Sequence, residues 1–250
     1  MSKNIAIIFA GGVGSRMGSS IPKQFLKIYG KEIIIHTLEK FQYNENIDLI
    51  YVGCIEEYLN ELELLVQKYN ISKIPVDGII PGGTSGQDTI YRLLKKAREQ
   101  NDGDSICLIH DGVRPIINNE VINNNIEAVK KYGSAVTAIK EYETPIISNN
   151  GNEVDEILVR NLVYKAKAPQ SFILDDILSA HEKIRKTKDG YKNPRIIDSC
   201  SLMKECGFKS HIVLGNRGNI KVTTQEDYIS LLATLSLDDY LQILELNKGE

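Results

Sequence analysis

The chain lacks the two common nucleotide-loop signatures. No Gly-Lys-Ser or Gly-Lys-Thr closes a glycine-rich spacer, which excludes a Walker A loop. After the first apolar run, Gly12 and Gly14 match the start of a Gly-x-Gly-x-x-Gly fingerprint, but Met17 stands where its third glycine belongs. The second strand candidate runs into Tyr51-Val52-Gly53-Cys54, without the acidic residue that would hold a ribose. A dinucleotide site is therefore excluded as well. Cysteine is scarce, with 4 among 250 residues. Cys200 and Cys206 are neighbours in sequence, but their gap matches no usual zinc spacing. Cys54 and Cys107 lie in apolar strands and read as buried thiols, and a reducing, cytoplasmic compartment is the expectation. No apolar stretch approaches the roughly 20 residues of a bilayer span. The Ala-Ile-Ile-Phe run near the start is too short for a secretory segment. A net charge of −3 provides no broad basic field for nucleic acid or an anionic membrane. Cations that bind phosphate must therefore be local.

What is present is an alternation of apolar runs and amphipathic stretches, over 250 residues that are 42% apolar. That pattern predicts a Rossmann-like, mostly parallel α/β sheet flanked by helices, in one domain spanning 1–250. Strands are expected at Ile5–Phe9, Asp48–Val52, Ile74–Val76, Ile106–Ile109, Ala135–Ile139 and His211–Leu214. Helices are expected at Ile33–Phe41, Glu56–Tyr69, Ser85–Gln100, Asn119–Tyr132, Leu174–Arg185 and Gln225–Ser236. Leu59, Leu62, Leu65 and Val66 carry the helical period and read as core. Residues 142–163 break the alternation. They read as two extended segments joined at Asn149-Asn150-Gly151-Asn152, a hairpin signal that predicts a protruding β-arm.

Five stretches carry chemistry. Ala10-Gly11-Gly12-Val13-Gly14-Ser15-Arg16-Met17-Gly18 follows the first strand, and Pro22-Lys23-Gln24 follows the loop. Glycines let backbone amides approach an anion, and Arg16 and Lys23 add two cations, so the loop reads as a triphosphate cradle. Gly82-Gly83-Thr84-Ser85 opens a helix, where backbone and hydroxyl donors can read a base or ribose, or Ser85 or Thr84 can simply cap the helix. Asp111, just past a strand in His110-Asp111-Gly112-Val113-Arg114-Pro115, is placed to orient Mg²⁺ or a substrate hydroxyl, or to cap a turn; Arg114 is placed to pin loops. Asp102-Gly103-Asp104 precedes its strand and reads as a turn. Lys221 alternates with apolar Ile220 and Val222 and calls for an anion, while Thr224 and Asp227 have capping-box spacing. Thr144 and Arg160 lie at the two ends of the arm.

Together these motifs, with Pro22-Lys23-Gln24-Phe25-Leu26, Ala168-Pro169-Gln170-Ser171-Phe172 and Asn219-Ile220-Lys221-Val222-Thr223, resemble the CTP-dependent polyol-phosphate cytidylyltransferases. These are the 2-C-methyl-D-erythritol 4-phosphate and ribitol-5-phosphate enzymes, and the resemblance runs from Ile5 to about Leu232. It implies a nucleotidyltransferase-type fold, CTP and a polyol phosphate as substrates, Mg²⁺ as cofactor, and a homodimer built through the 142–163 arm. It implies that Ala10, Gly11, Gly12, Gly14, Gly82 and Gly83 bind nucleotide, with Arg16 and Lys23 on the triphosphate. It also implies that Thr89 reads cytosine and that Asp111 contacts substrate hydroxyls near the metal. Lys221 would bind the acceptor phosphate, and Thr144 and Arg160 would reach the neighbouring subunit's acceptor. Gly86, Ala168 and Ile197-Asp198-Ser199 depart from the methylerythritol pattern, and Asp198-Ser199-Cys200 is closer to the ribitol one. A ribitol-type acceptor is therefore expected, with methylerythritol phosphate, another polyol or sugar phosphate, or an inactive nucleotide-binding regulator as the alternatives.

Overall fold

Apolar residues in the first strand feed two cores at once. In β1 (Asn4–Ala10), Ile5 and Ile7 point to one face and Ala6, Ile8 and Ala10 to the other, and all are buried. A strand covered on both faces belongs inside a layered α/β sheet. The computed structural model describes residues 2–12 and 21–246, with side chains up to residue 236; Gly14 and Arg16 lie outside the described residues.

The chain continues through a small hairpin, β2 (Lys27–Ile28) and β3 (Lys31–Glu32), into α1 (Ile33–Gln42). There follow β4 (Leu49–Cys54), α2 (Leu59–Lys68), β5 (Ile79–Pro81), α3 (Gly86–Gln100) and β6 (Ile106–Asp111). Next come α4 (Asn119–Tyr132), β7 (Ser134–Lys140), the arm strands β8 (Ile146–Ile147) and β9 (Glu156–Ile157), and β10 (Tyr164–Ile173). The chain closes with α5 (Leu174–Arg185), α6 (Ser199–Glu205), β11 (Ile212–Leu214) and α7 (Gln225–Leu246). The main sheet has the order β11-β7-β10-β6-β1-β4-β5. Only β10 runs against its neighbours, pairing antiparallel with β6 and β7. The mostly parallel sheet expected from the sequence is present. Helices α1, α2 and α4 pack on one face, and α3, α5 and α6 on the other.

Local signals explain most boundaries. Ser85 caps α3 by accepting from the Asp88 amide at 3.1 Å, and Asn118 caps α4 by accepting from the Val121 amide at 3.0 Å. Gly133, at φ +79°, ends α4 in the left-handed conformation that a glycine adopts without penalty. The expected strand at Ile74–Val76 is not formed there. Asp77 takes φ +60°, the Gly78 amide turns back to the Pro75 carbonyl at 2.8 Å, and the edge strand starts at Ile79 instead. Val76 is left 86% exposed. In the arm, pairing is confined to Ile146↔Ile157 and Ile147↔Glu156. Asn150-Gly151 therefore sits inside a longer loop, held by the Asn149 amide donating to Asp155 Oδ2 at 2.6 Å.

Two histidines are wholly buried, His110 in β6 and His181 in α5. Burial pushes His181 down to about 3 and His110 down to about 4. Both stay neutral when folded, whereas an unfolded histidine takes up its proton near pH 6.5. The stability this contributes is complete above pH 6.5 and drains away as pH falls toward those folded values. The free energy of unfolding should therefore drop between pH 7 and pH 5, by about 1–2 kcal/mol for each histidine. Urea melts at the two pH values measure the drop. His181→Gln should flatten the slope, and an unchanged slope in that variant would refute the assignment.

Candidate active site

β1, β4, β5 and β6 are parallel, so their carboxyl ends reach one rim of the sheet. Loops leaving that rim enclose two cavities that share a wall. The first, of about 590 Å³, is lined by Ala10, Gly11, Gly12, Lys23, Gln24 and Gly83, among others. The second, of about 440 Å³, is lined by Arg114, Lys167, Gln170, Tyr191, Asp198 and Ser199, among others. Phe9, Ser85, Gly86, Asp111 and Lys221 line both.

Asp111 closes β6 and is only 5% exposed. Its Oδ2 accepts from Arg114 Nε at 2.7 Å, and its Oδ1 is paired with the Lys221 ammonium. Burial opposes its charge, but Lys221 and Arg114 outweigh burial and hold the carboxyl below the usual carboxylate range. Arg114 also donates to the Asn219 carbonyl at 3.1 Å, and the Val222 amide donates to the Val113 carbonyl at 3.0 Å. The 111–115 turn and the 219–223 segment are thereby fastened together. Val113 and Val222 pack in the small core beneath them. Lys221, flanked by Ile220 and buried Val222, is thus aimed at the shared wall with its anion already in place.

The glycine loops meet back to back. A Cβ on Gly82 would stand 3.3 Å from the Gly11 Cα and 3.2 Å from the Cys54 carbonyl oxygen, so the backbone there would have to give by a few tenths of an ångström. Among the described residues, nothing stands within 4 Å of where a Cβ on Gly12 would lie. Thr89 corrects the expectation for a base-reading hydroxyl. It is 1% exposed, and its Oγ1 donates to the Ser85 carbonyl at 2.9 Å and accepts from the Gly83 amide at 2.9 Å. Thr89 stands behind the loop and fixes its shape, while Gly83, Thr84 and Ser85 present the surface. Asp88 adds a second brace. It accepts from the Thr84 amide at 3.1 Å and from Arg185 at 2.7 Å.

Lys23 begins a single helical turn, Lys23–Phe25, mounted on β1 by Gln24, whose Nε2 donates to the Ala10 carbonyl at 2.6 Å. Thr144 and Arg160 line neither cavity of their own chain. Thr144 is exposed, and Arg160 donates to the Tyr142 carbonyl at 3.1 Å within the arm. Among the described residues no group of three or more His, Cys, Asp and Glu side chains is assembled to hold a metal ion. Among the described residues, Asp111 is the only carboxylate of the glycine-loop cavity. One carboxylate suits Mg²⁺ carried mainly by substrate phosphates, since each oxygen keeps a lone pair beyond its cationic partner.

Sequence reasoning assigned no role to several cavity residues. Gln170 donates through Nε2 to Asp198 Oδ2 at 2.7 Å and accepts from the Cys200 amide at 2.8 Å. Asp198 itself caps α6 through a reciprocal capping box with Ser201. That Asp-x-x-Ser spacing was the available signal for α6. Tyr191 lines the cavity and is anchored by His181 at 2.6 Å. No periodicity announces it.

Residues 4–237 match the family described as IspD: 2-C-methyl-D-erythritol 4-phosphate cytidylyltransferase. A ribitol-5-phosphate cytidylyltransferase of Vibrio parahaemolyticus is 47% identical, over 96% of this chain and 99% of its own. A 2-C-methyl-D-erythritol 4-phosphate cytidylyltransferase of Clostridium botulinum is 36% identical, over 92% of this chain and 96% of its own. Among solved structures, the 4-diphosphocytidyl-2C-methyl-D-erythritol synthase of Anaerococcus prevotii superposes with a TM-score of 0.79 at 28% identity, covering 94% of this chain and 96% of that one.

Proposed function

As the chain belongs to the 2-C-methyl-D-erythritol 4-phosphate cytidylyltransferase family, and is a cytidylyltransferase, we propose that it joins CTP to an alditol phosphate, ribitol 5-phosphate first, with release of pyrophosphate. One observation carries the reading. Two cavities of different character, one glycine-lined and one lined by polar side chains, meet at Asp111 and Lys221. A transfer between two phosphorylated molecules needs such a junction. CTP lies along the glycine loops with Lys23 at its phosphates, and the acceptor lies against Gln170, Tyr191 and Asp198.

The acceptor's phosphate oxygen attacks the α-phosphorus of CTP in line, and pyrophosphate departs. A phosphate monoester is already a nucleophile, so the chain's work is positioning and charge stabilisation. Lys221 screens the repulsion between the two anions at the shared wall. Asp111 holds Lys221 and Arg114 in place and accepts from substrate hydroxyls. Asp111 would help hold a divalent cation brought in with CTP, and such a cation would supply further charge neutralisation. Arg16 belongs to the same cradle on sequence grounds.

The acceptor assignment is supported by the Vibrio relative and by the cavity wall itself. Ala168 and Ser199 line the acceptor cavity at positions where the sequence departs from the methylerythritol pattern. Pyrophosphate release should be seen with CTP and ribitol 5-phosphate, and kcat/KM should exceed that for 2-C-methyl-D-erythritol 4-phosphate by about tenfold or more, an ordinary difference for a few altered pocket contacts. A higher kcat/KM for methylerythritol phosphate, the substrate named by the Clostridium relative, would reverse the assignment. Release with another nucleotide in preference to CTP would overturn the nucleotide reading.

A further inference from the structure

β10 carries an interruption that marks one lysine. Its ladder with β7 holds at Ala166↔Ala138 and resumes at Gln170↔Val136. Residues 167–169 thus stand opposite Thr137 alone. Bulges of this kind turn a side chain out of the ladder and recur beside active sites. Here the residue is Lys167, half-buried, on the wall of the acceptor cavity with Arg114 and Lys221.

The carboxylates of that wall are Asp111 and Asp198. Asp111 is shared by Arg114 and Lys221. Asp198 accepts from the Gln170 amide group and from the Ser201 backbone. Among the described residues Lys167 forms no ion pair. Burial pushes its ammonium down, and the like charges of Arg114, Lys165 and Arg217 push the same way, against a smaller pull from Asp227. Three cations and two carboxylates leave the wall with one positive charge in excess, and Lys167 is the one not matched. A half-buried cation among cations is costly until an anion joins it.

We propose that Lys167 binds the acceptor's phosphate from within the same chain, beside Lys221, and so selects phosphorylated over unphosphorylated acceptors. This rests on the polyol-phosphate reading above. As a compact point charge on a flexible stem, an ammonium follows a phosphate without demanding one orientation.

The test is steady-state kinetics with CTP and ribitol 5-phosphate for the wild type, Lys167→Met and Lys167→Arg, with calorimetric titration of inorganic phosphate into each. Losing one charge-assisted contact should raise the acceptor KM about 10–100-fold in Lys167→Met. The CTP KM should stay within about twofold, Lys167→Arg should recover most of the loss, and phosphate affinity should fall by about tenfold or more. A purely structural role would not separate the two KM values. An unchanged acceptor KM in Lys167→Met, or equal rises for both substrates, overturns the assignment. A wild type that uses no polyol phosphate overturns the functional reading instead. In that case the titration decides Lys167, and equal phosphate affinity in the wild type and Lys167→Met rejects it.

Discussion

Replacing Lys23 by alanine should slow cytidylyl transfer by about 10²-fold or more, with a smaller change in the KM for CTP. The side chain reaches the glycine-lined cavity from a mount with little play. Pro22 precedes it, Gln24 and Phe25 after it are buried, and Gln24 is tied to the end of β1 at 2.6 Å. A charge held this way needs no reorganisation when negative charge builds on the departing pyrophosphate, which is where preorganised cations have their largest effect. The half-buried Lys23 is not part of the core, so the variant should melt within a few degrees of the wild type. Single-turnover measurements at saturating CTP check the claim. Wild-type rates in Lys23→Ala would remove Lys23 from the mechanism.

The second large effect is a rescue. Arg160→Ala and Lys221→Ala should each be nearly inactive alone, yet recover activity when mixed. The arm explains why. Ile146, Ile157, Val159 and Leu162 are 55%, 65%, 66% and 78% exposed, an apolar surface without cover in the isolated chain. A two-stranded ribbon of this size is marginal in water by itself and gains stability by packing on another surface. We propose that a second copy of this chain provides that surface and that Arg160 crosses to its acceptor cavity. A mixed dimer then has one site with both Arg160 and Lys221 intact and one with neither. Random subunit exchange should return about a quarter of wild-type activity, since half the dimers are mixed and each has one working site of two. No recovery despite verified exchange, or a monomer by light scattering at assay concentration, would refute the composite site.

The fold was legible where burial imposes a simple period. β1, β4, β6 and β7 are apolar runs covered on both faces, and α3 and α4 carry apolar stripes that begin at side-chain caps. It was least legible where pairing and sequence disagree. β10 contains Lys165, Lys167 and Pro169, residues that read as loop, and its ladder with β7 is broken at the last two of them. β5 was misplaced by a few residues because Ile74–Val76 and Ile79–Ile80 are equally apolar, and only the positive φ at Asp77 decides between them. For the site, Asp111 and Lys23 could be found from their places after a strand and a glycine loop, and Lys221 from its alternation with apolar Ile220 and Val222. Thr89 could not be resolved into a brace, since a hydroxyl's partners are a matter of three-dimensional register. Lys167 was invisible for the same reason as β10. Gly14 and Arg16 are legible in the sequence alone.

The reversed direction of β10 has a thermodynamic consequence. A strand that opposes its neighbours starts where they finish, so β10 leaves the arm at Tyr164, passes the acceptor cavity at Lys167 and Gln170, and buries Phe172 in the core before it ends at Ile173. Arm and cavity wall are one uninterrupted length of backbone. If subunits meet through the arm, any free energy that association lends to acceptor binding must be returned in equal measure by acceptor to association. Dilution would then weaken acceptor affinity before any unfolding occurred. Saturating acceptor would lower the dissociation constant of the dimer by the same factor, which sedimentation at two acceptor concentrations can read directly.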